Sequence, residues 1–429
     1  MMKKYILSVF FAVTALIGLA TAASAQGKSP METRYSYDDC QGSLVPYPAD
    51  IHRVNAPDTL MPVYISHVGR HGSRYPASSA NCIKLRDALN NASETGTITE
   101  LGRDLLSLTE NIIAVSTNRW GALDSLGQAE QRAIASRMFS TYPEIFRDGA
   151  VNAISSYSPR SMMSMFSFVH QLDRMDNKLT FTTSTGRINS KLMRPFDVDK
   201  DYLEFRDQKL WQPAYTEYFE AACPITAINR VLGKDYPYGD TDNARDLAIT
   251  EYYVLAGLEA MQMPSQMKKY FTVEEANALW SCFNLRQYLQ RTATTVSSVP
   301  ADIASELVMD IITRADGAFD GSNPFVADLR FGHAETVMPL VSLLRLPGCY
   351  YMTNYFDTVA QHWKDFNVVP MAANVQFIFF KAKRSGRYYV RVDLNEKPVT
   401  LIPNDERLYL PWTEARNYLM HCLPLIMQF

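Results

Sequence analysis

The sequence predicts an α/β fold, a sheet with flanking helices, with a mainly α-helical cap domain inserted into it. Two observations carry that expectation. Residues 62–68, 151–156 and 326–332 are short apolar or alternating runs, too brief for helices, and each is followed by apolar residues at helical spacing. Between the second and third runs, from about residue 175 to 320, only long helical patterns occur and no clear strand. A chain of 429 residues also exceeds what one hydrophobic core usually serves. The expected organisation is a removable segment at 1–25, an α/β part in two pieces at 26–174 and 321–429, and the helical cap at 175–320.

Residues 1–25 have the features of an export signal. Lys3 and Lys4 make a charged start, residues 5–19 are mostly apolar, and Ala23-Ser24-Ala25 fits the small-residue cleavage pattern. An uncleaved anchor is the alternative, although the apolar run is short for a membrane span. Residues 26–60 form an irregular lead-in marked by Pro30, Pro46, Pro48 and Pro57. Beyond the first strand, Cys82, Leu85 and Leu89, then Leu101, Leu105, Leu108, Ile112 and Val115, mark the core faces of two helices. Leu126 to Gln131 opens a third, ended by Pro143. After the second strand, Met162, Met165, Phe166 and Val169 mark another; His170 on it reads as packed or surface rather than as a ligand.

In the helical segment, residues 241–260 form one candidate helix. Thr272-Val273-Glu274-Glu275 is a capping box opening another that runs towards Gln290, and Ile303, Leu307 and Ile311 lie on a third. Residues 375–381 and 388–394, joined by a Ser385-Gly386 turn, read as a hairpin.

The chemistry concentrates in Gly69-Arg70-His71-Gly72-Ser73-Arg74-Tyr75-Pro76, at the end of the first strand. Two guanidiniums beside one imidazole repel its protonated form and hold it neutral. A neutral imidazole is a nucleophile, and planar arginine forks match phosphoryl oxygens. Gly72 is expected to make room for a bound oxyanion. A basic surface loop with an incidental histidine is the bland alternative. Arg160, in Ser158-Pro159-Arg160-Ser161, stands where the second strand meets its helix, at the sheet edge where open α/β folds bind ligands; a solvated helix-start arginine is its alternative. His333 and Glu335 occupy the same kind of junction after the third strand.

The pattern Arg70-His71-Gly72-x-Arg74-x-Pro76 resembles the signature of the histidine phosphatase superfamily, in its acid phosphatase and phytase branch. His333-Ala334-Glu335, in place of the His-Asp common in that branch, resembles the multiple inositol polyphosphate phosphatase subgroup, as does Leu192-Met193-Arg194-Pro195-Phe196-Asp197, with Val198-Asp199 where a cysteine is usual. The resemblance implies a histidine-phosphatase-like core and a phosphomonoesterase acting on inositol polyphosphates, phytate included. It implies that His71 takes the phosphoryl group covalently, and that Arg70, Arg74, Arg160 and His333 bind it. Glu335 would donate and later remove a proton, which requires a carboxyl of raised pKa.

Lys191 and Arg194 are candidates for a remote phosphate, or else ordinary solvated charges. No cofactor or metal is expected, because the arginines supply the charge that magnesium supplies elsewhere. Two alternatives remain: an acid phosphatase for sugar phosphates or other small monoesters, and a non-catalytic phosphate-binding protein.

Composition narrows the rest. Forty-two basic against 45 acidic side chains give a net charge of −3, so no nucleic acid is expected as a partner. The partner that the resemblance implies is a small phosphorylated molecule, an inositol polyphosphate, and no stable membrane anchor or protein partner is expected. The expected location is periplasmic or secreted. Six cysteines, all after residue 25, permit up to three disulfides, and no Cys/His cluster suggests structural zinc.

Overall fold

Strand β1 (Leu60–Arg70) is buried without a break from Tyr64 to Arg70, because neighbours flank both its edges and helices cover both its faces. That is how a continuous apolar run becomes a central strand rather than a half-exposed one. The computed structural model describes residues 34–427, so the expected export signal at 1–25 lies outside the described residues. The other strands are β2 (Ala150–Ser155), β3 (Thr180–Ser184), β4 (Ala327–Gly332), β5 (Asn374–Ala382), β6 (Tyr388–Leu394), β7 (Lys397–Val399) and β8 (Leu410–Pro411). They form one sheet of order β3-β2-β4-β1-β5-β6-β7, with β8 on β6. The first four are mutually parallel, and from β5 onwards every pairing is antiparallel. The hairpin read from the sequence is β5–β6.

Eight helices position the site: α1 (Ala80–Glu94), α2 (Ser125–Thr141), α3 (Pro159–Met175), α4 (Thr241–Ala256), α5 (Val273–Arg291), α6 (Ser305–Asp320), α7 (Ala334–Leu343) and α8 (Trp412–Cys422). The side-chain period of two sorts β1 between two cores. Ile65 packs with Ile134 and Met138 of α2, Met165 and Phe168 of α3, and Leu329 and Phe331 of β4. Tyr64 and Val68 face the other way, with Leu307 and Ile311 of α6, Val337 and Leu340 of α7, and Leu419 of α8. The capping box at Thr272 is formed, with Glu275 reaching back to the Thr272 N–H.

Three expectations need correction. β3 lies inside the segment read as strandless. Its Thr-Phe-Thr-Thr-Ser sequence holds one large apolar side chain, and the strand is a largely exposed edge, so no hydrophobic period marks it. Val115 and Phe166, expected on core faces, are exposed; Phe168 takes the core position instead. None of the six cysteines, all among the described residues, is joined in a disulfide.

From Tyr35 onward the chain forms one compact unit. Among the described residues, no helix is long and apolar enough to cross a membrane.

Candidate active site

Sheet register brings the two halves of the site together. Arg70, the last residue of β1, pairs with Gly332, the last of the parallel strand β4, so His71 and His333 leave the sheet side by side. Their ring centroids are 5.5 Å apart. On the other side of β4, Ser155 of β2 pairs with Phe331, and α3 begins four residues later with Pro159-Arg160. Three parallel strands thus deliver their following residues to one edge, the geometry expected of a ligand site in an open α/β sheet.

The loop after β1 is clamped by α2. Glu130 accepts the Ser73 N–H and hydroxyl, both at 2.7 Å, and the Tyr47 N–H at 2.9 Å. Gln131 donates to the Arg70 carbonyl at 2.9 Å. A Cβ at Gly72 would stand 2.4 Å from the Gly127 carbonyl oxygen, and one at Gly127 would stand 2.2 Å from that of Ser73. Gly72 is therefore required by backbone packing against α2, rather than by room for an oxyanion. Glu130 and Gln131 had no assigned role from the sequence. Their only signal is a pair of adjacent polar residues, one of which would normally be solvent-facing.

His71 is buried, and its Nδ1–H donates to the Gly72 carbonyl at 2.9 Å. A carbonyl only accepts, which fixes the tautomer and leaves the lone pair on Nε2. Burial first, then Arg160, Arg70, Arg74 and His333, hold the imidazole well below its ordinary pKa, so it is neutral. The arginines are pinned from behind: Arg70 Nη1 donates to the carbonyls of Ser43 and Val369, each at 2.6 Å, and Arg74 Nη1 to that of Tyr75 at 2.9 Å. The Nε donors of Arg70, Arg74 and Arg160 are buried without a protein partner. Burial pushes the Arg74 guanidinium down, and so do Arg160 and Arg70. Concentrated cations with idle donors are the signature of an anion site.

His333 is also buried and held neutral, by burial first and by Arg160, Arg194 and Arg70, against the opposing pull of Glu335. Arg194 Nη1 lies 2.8 Å from Nε2, which makes Nε2 the acceptor and places the proton on Nδ1, 3.4 Å from Arg160 Nη2. Arg194 is itself oriented by Asp197, Nε to Oδ2 at 2.5 Å, and Asp197 accepts from Tyr157. Arg194, expected either at a remote phosphate or as a solvated charge, instead touches His333. Lys191 stays at the surface, 3.8 Å from Glu306, and is not among the residues lining the cavity.

Glu335, in the first turn of α7, is held at a pKa of about 2. Burial alone would raise it; Arg291, then His333, a backbone N–H and Arg70 outweigh burial. The raised carboxyl expected from the sequence is not found, because Arg291, with Arg70 beside it, stabilises the carboxylate. A dianionic ligand would reverse that balance. Arg291, which no sequence motif singled out, lies with Nη2 3.7 Å from Glu335 Oε1.

These groups open into a cavity of about 280 Å³. One side holds Arg70, His71, Arg74, Arg160 and Glu335; the other, from α1, α4 and α5, holds Asn81, Tyr253, Val254, Phe283 and Gln287.

The sequence model of the histidine phosphatase superfamily (branch 2) matches residues 64–395, and the chain belongs to that family. It is a histidine-type phosphatase. Among curated relatives, the human multiple inositol polyphosphate phosphatase 1 is 25% identical over 386 residues, covering 81% of this chain and 77% of the relative. The chicken protein of that name is 25% identical over 418 residues, covering 91% and 89%. The fold is shared with the Bifidobacterium longum multiple inositol polyphosphate phosphatase in complex with inositol hexasulfate, with a TM-score of 0.75, 17% identity and coverage of 90% of this chain and 99% of that one.

Proposed function

We propose that this protein removes phosphates from inositol polyphosphates, phytate included, through a phosphohistidine on His71. The observation that carries the reading is the His71 imidazole, neutral and with Nδ1 committed to Gly72, set among three arginines whose Nε donors are idle. Nε2 attacks phosphorus as the P–O ester bond breaks, and Arg70, Arg74, Arg160 and His333 Nδ1–H hold the phosphoryl oxygens. The leaving alkoxide takes a proton from Glu335. Water then attacks the phosphohistidine, Glu335 takes a proton from that water, and His71 is released with inorganic phosphate.

Glu335 must carry a proton in the first step. An entering phosphate ester supplies the negative charge that raises its pKa from about 2. No metal enters the scheme, because the guanidiniums provide the charge. Residues 175–320 serve as the cap that supplies α4 and α5 to the far wall, and the export signal would place the enzyme in the periplasm or outside the cell.

Relatives named for inositol polyphosphates, and the resemblance of the segments around Arg194 and Glu335 to that subgroup, support the substrate. The uncharged wall of Tyr253, Val254, Phe283 and Gln287 favours a second reading, a phosphatase for smaller monoesters. Turnover of phytate and of p-nitrophenyl phosphate, with phytate products resolved by ion chromatography, tests the choice. Sequential lower inositol phosphates are expected, and p-nitrophenyl phosphate turnover without phytate loss would leave the second reading.

A further inference from the structure

Arg70, Arg74 and Arg160 reach the site from the sheet edge; Arg291 arrives from the opposite side. It is the last residue of α5, one turn beyond Gln287 and two beyond Phe283, so one face of the helix presents all three. That helix is fixed by its capping box and by the bond from Trp280 Nε1 to Asp365, 2.9 Å. Arg291 Nη1 donates to the hydroxyl of buried Tyr202, whose O–H donates to the Gln290 carbonyl at 3.3 Å. This anchoring aims Nη2 at Glu335, and leaves Nε buried without a protein partner. Glu335 is part of the cavity wall and Arg291 is not.

We propose that Arg291 is a positioning residue for Glu335, holding its carboxylate beside the arginine cluster and setting the pH range over which Glu335 can pass its proton. The inference rests on the reading of Glu335 as the proton carrier. The charged and titratable groups that face Glu335 are His333, the N-cap of its own helix, Arg70 from the end of β1, Arg74 from the loop, Arg160 from α3 and Arg291 from α5, with His71 lining the same cavity. Asp197 acts on Arg291, and Arg194 on His333. When a phosphate ester binds, Arg70, Arg74 and Arg160 turn their donors to its oxygens and are neutralised. Arg291, behind the wall, is then the cation left next to Glu335. Without it, the carboxyl of the loaded enzyme would hold its proton too tightly to serve as base in the second step.

The test is the pH profile of kcat, which reports groups in the loaded enzyme. For glycerol 2-phosphate, whose alkoxide needs a proton, Arg291→Gln should move both limbs of the profile upward by about one pH unit or more, as expected for loss of an adjacent opposite charge. For p-nitrophenyl phosphate, whose leaving group needs no acid, only the acid limb should move. Arg291→Lys should keep the wild-type profile. If Gln at 291 impairs folding, Tyr202→Phe, which removes the anchoring hydroxyl, must shift the limbs in the same direction by less. A folded Arg291→Gln protein with unshifted limbs overturns the proposal, including the case where only KM rises. Full turnover of glycerol 2-phosphate by Glu335→Gln overturns the reading of Glu335 as well, so the two failures are distinguishable.

Discussion

The two walls of the cavity are built on different principles. The sheet wall is charged, and its groups sit within a few residues of the ends of β1, β2 and β4, so backbone register fixes their spacing to within the tolerance of a hydrogen-bond ladder. The helical wall is neutral and partly aromatic, and its residues are spread over α1, α4 and α5, held by side-chain packing and hydrogen bonds rather than by strand register. Phosphoryl transfer needs groups placed to fractions of an ångström. Recognition of what carries the phosphate tolerates more variation. The difference teaches that chemistry and selectivity here answer to separate parts of the chain, and each can be broken without the other.

The largest effect should come from the proposed nucleophile on the sheet wall. His71→Ala should lower kcat roughly 10⁴-fold or more on every phosphomonoester, with an unchanged thermal unfolding midpoint. A base-stable, acid-labile phosphohistidine should be trapped in the wild type and absent from the variant. Residual activity near wild type would remove His71 from the mechanism. Next comes Glu335→Gln, which should cost about 10²–10⁴-fold on phytate. It should cost far less in the burst of p-nitrophenol, whose departure needs no proton. An equal loss in both would make Glu335 a binding residue only.

A third change crosses the boundary between the walls. Arg194 belongs to the segment between β3 and β4, yet it touches His333 rather than the far wall. Losing a charged hydrogen bond to a catalytic group is worth about 1.5–3 kcal/mol, or roughly 10–100-fold in rate. Arg194→Ala should therefore lower kcat by that amount on phytate and p-nitrophenyl phosphate alike. A loss confined to phytate would return Arg194 to the selectivity side of the comparison.

The same division governs what the sequence makes legible. Arg70, His71 and Arg74 fall within five residues, and His333 and Glu335 follow a recognisable strand, so local pattern carries both. Arg160 is legible for the same reason. Arg194 is visible as part of a resembling segment but not by its role, because its contact with His333 depends on how a short helical stretch docks after β3. Arg291 carries no local signal at all, since an arginine in the last turn of a helix is ordinary. Glu130 misleads: in a helix with Glu130 and Gln131 adjacent and little apolar periodicity, it reads as solvent-facing, yet it is buried with a carboxylate full of backbone and hydroxyl donors. Tertiary satisfaction of a buried charge cannot be inferred from its sequence neighbours.

The smallest expected effect is also the sharpest test of the neutral wall. Gln287 stands on α5 at the cavity, half-buried and uncharged. If phytate fills the cavity with one phosphate at His71, some of its remaining phosphates must lie towards α4 and α5, whose described cavity-lining residues include no cation. A lysine at 287 would add one, at the rim where water and salt still screen it. Gln287→Lys should then lower KM for phytate about two- to five-fold at low ionic strength, the scale of an exposed ion pair. The gain should fade as salt rises. With p-nitrophenyl phosphate, which has no second phosphate, KM should stay unchanged, and kcat should stay unchanged for both because residue 287 touches no reacting atom. An unaltered KM for phytate at low salt would mean that its other phosphates face Arg194 and Arg160 instead, and that the helical wall meets the edge of the ring rather than its charges.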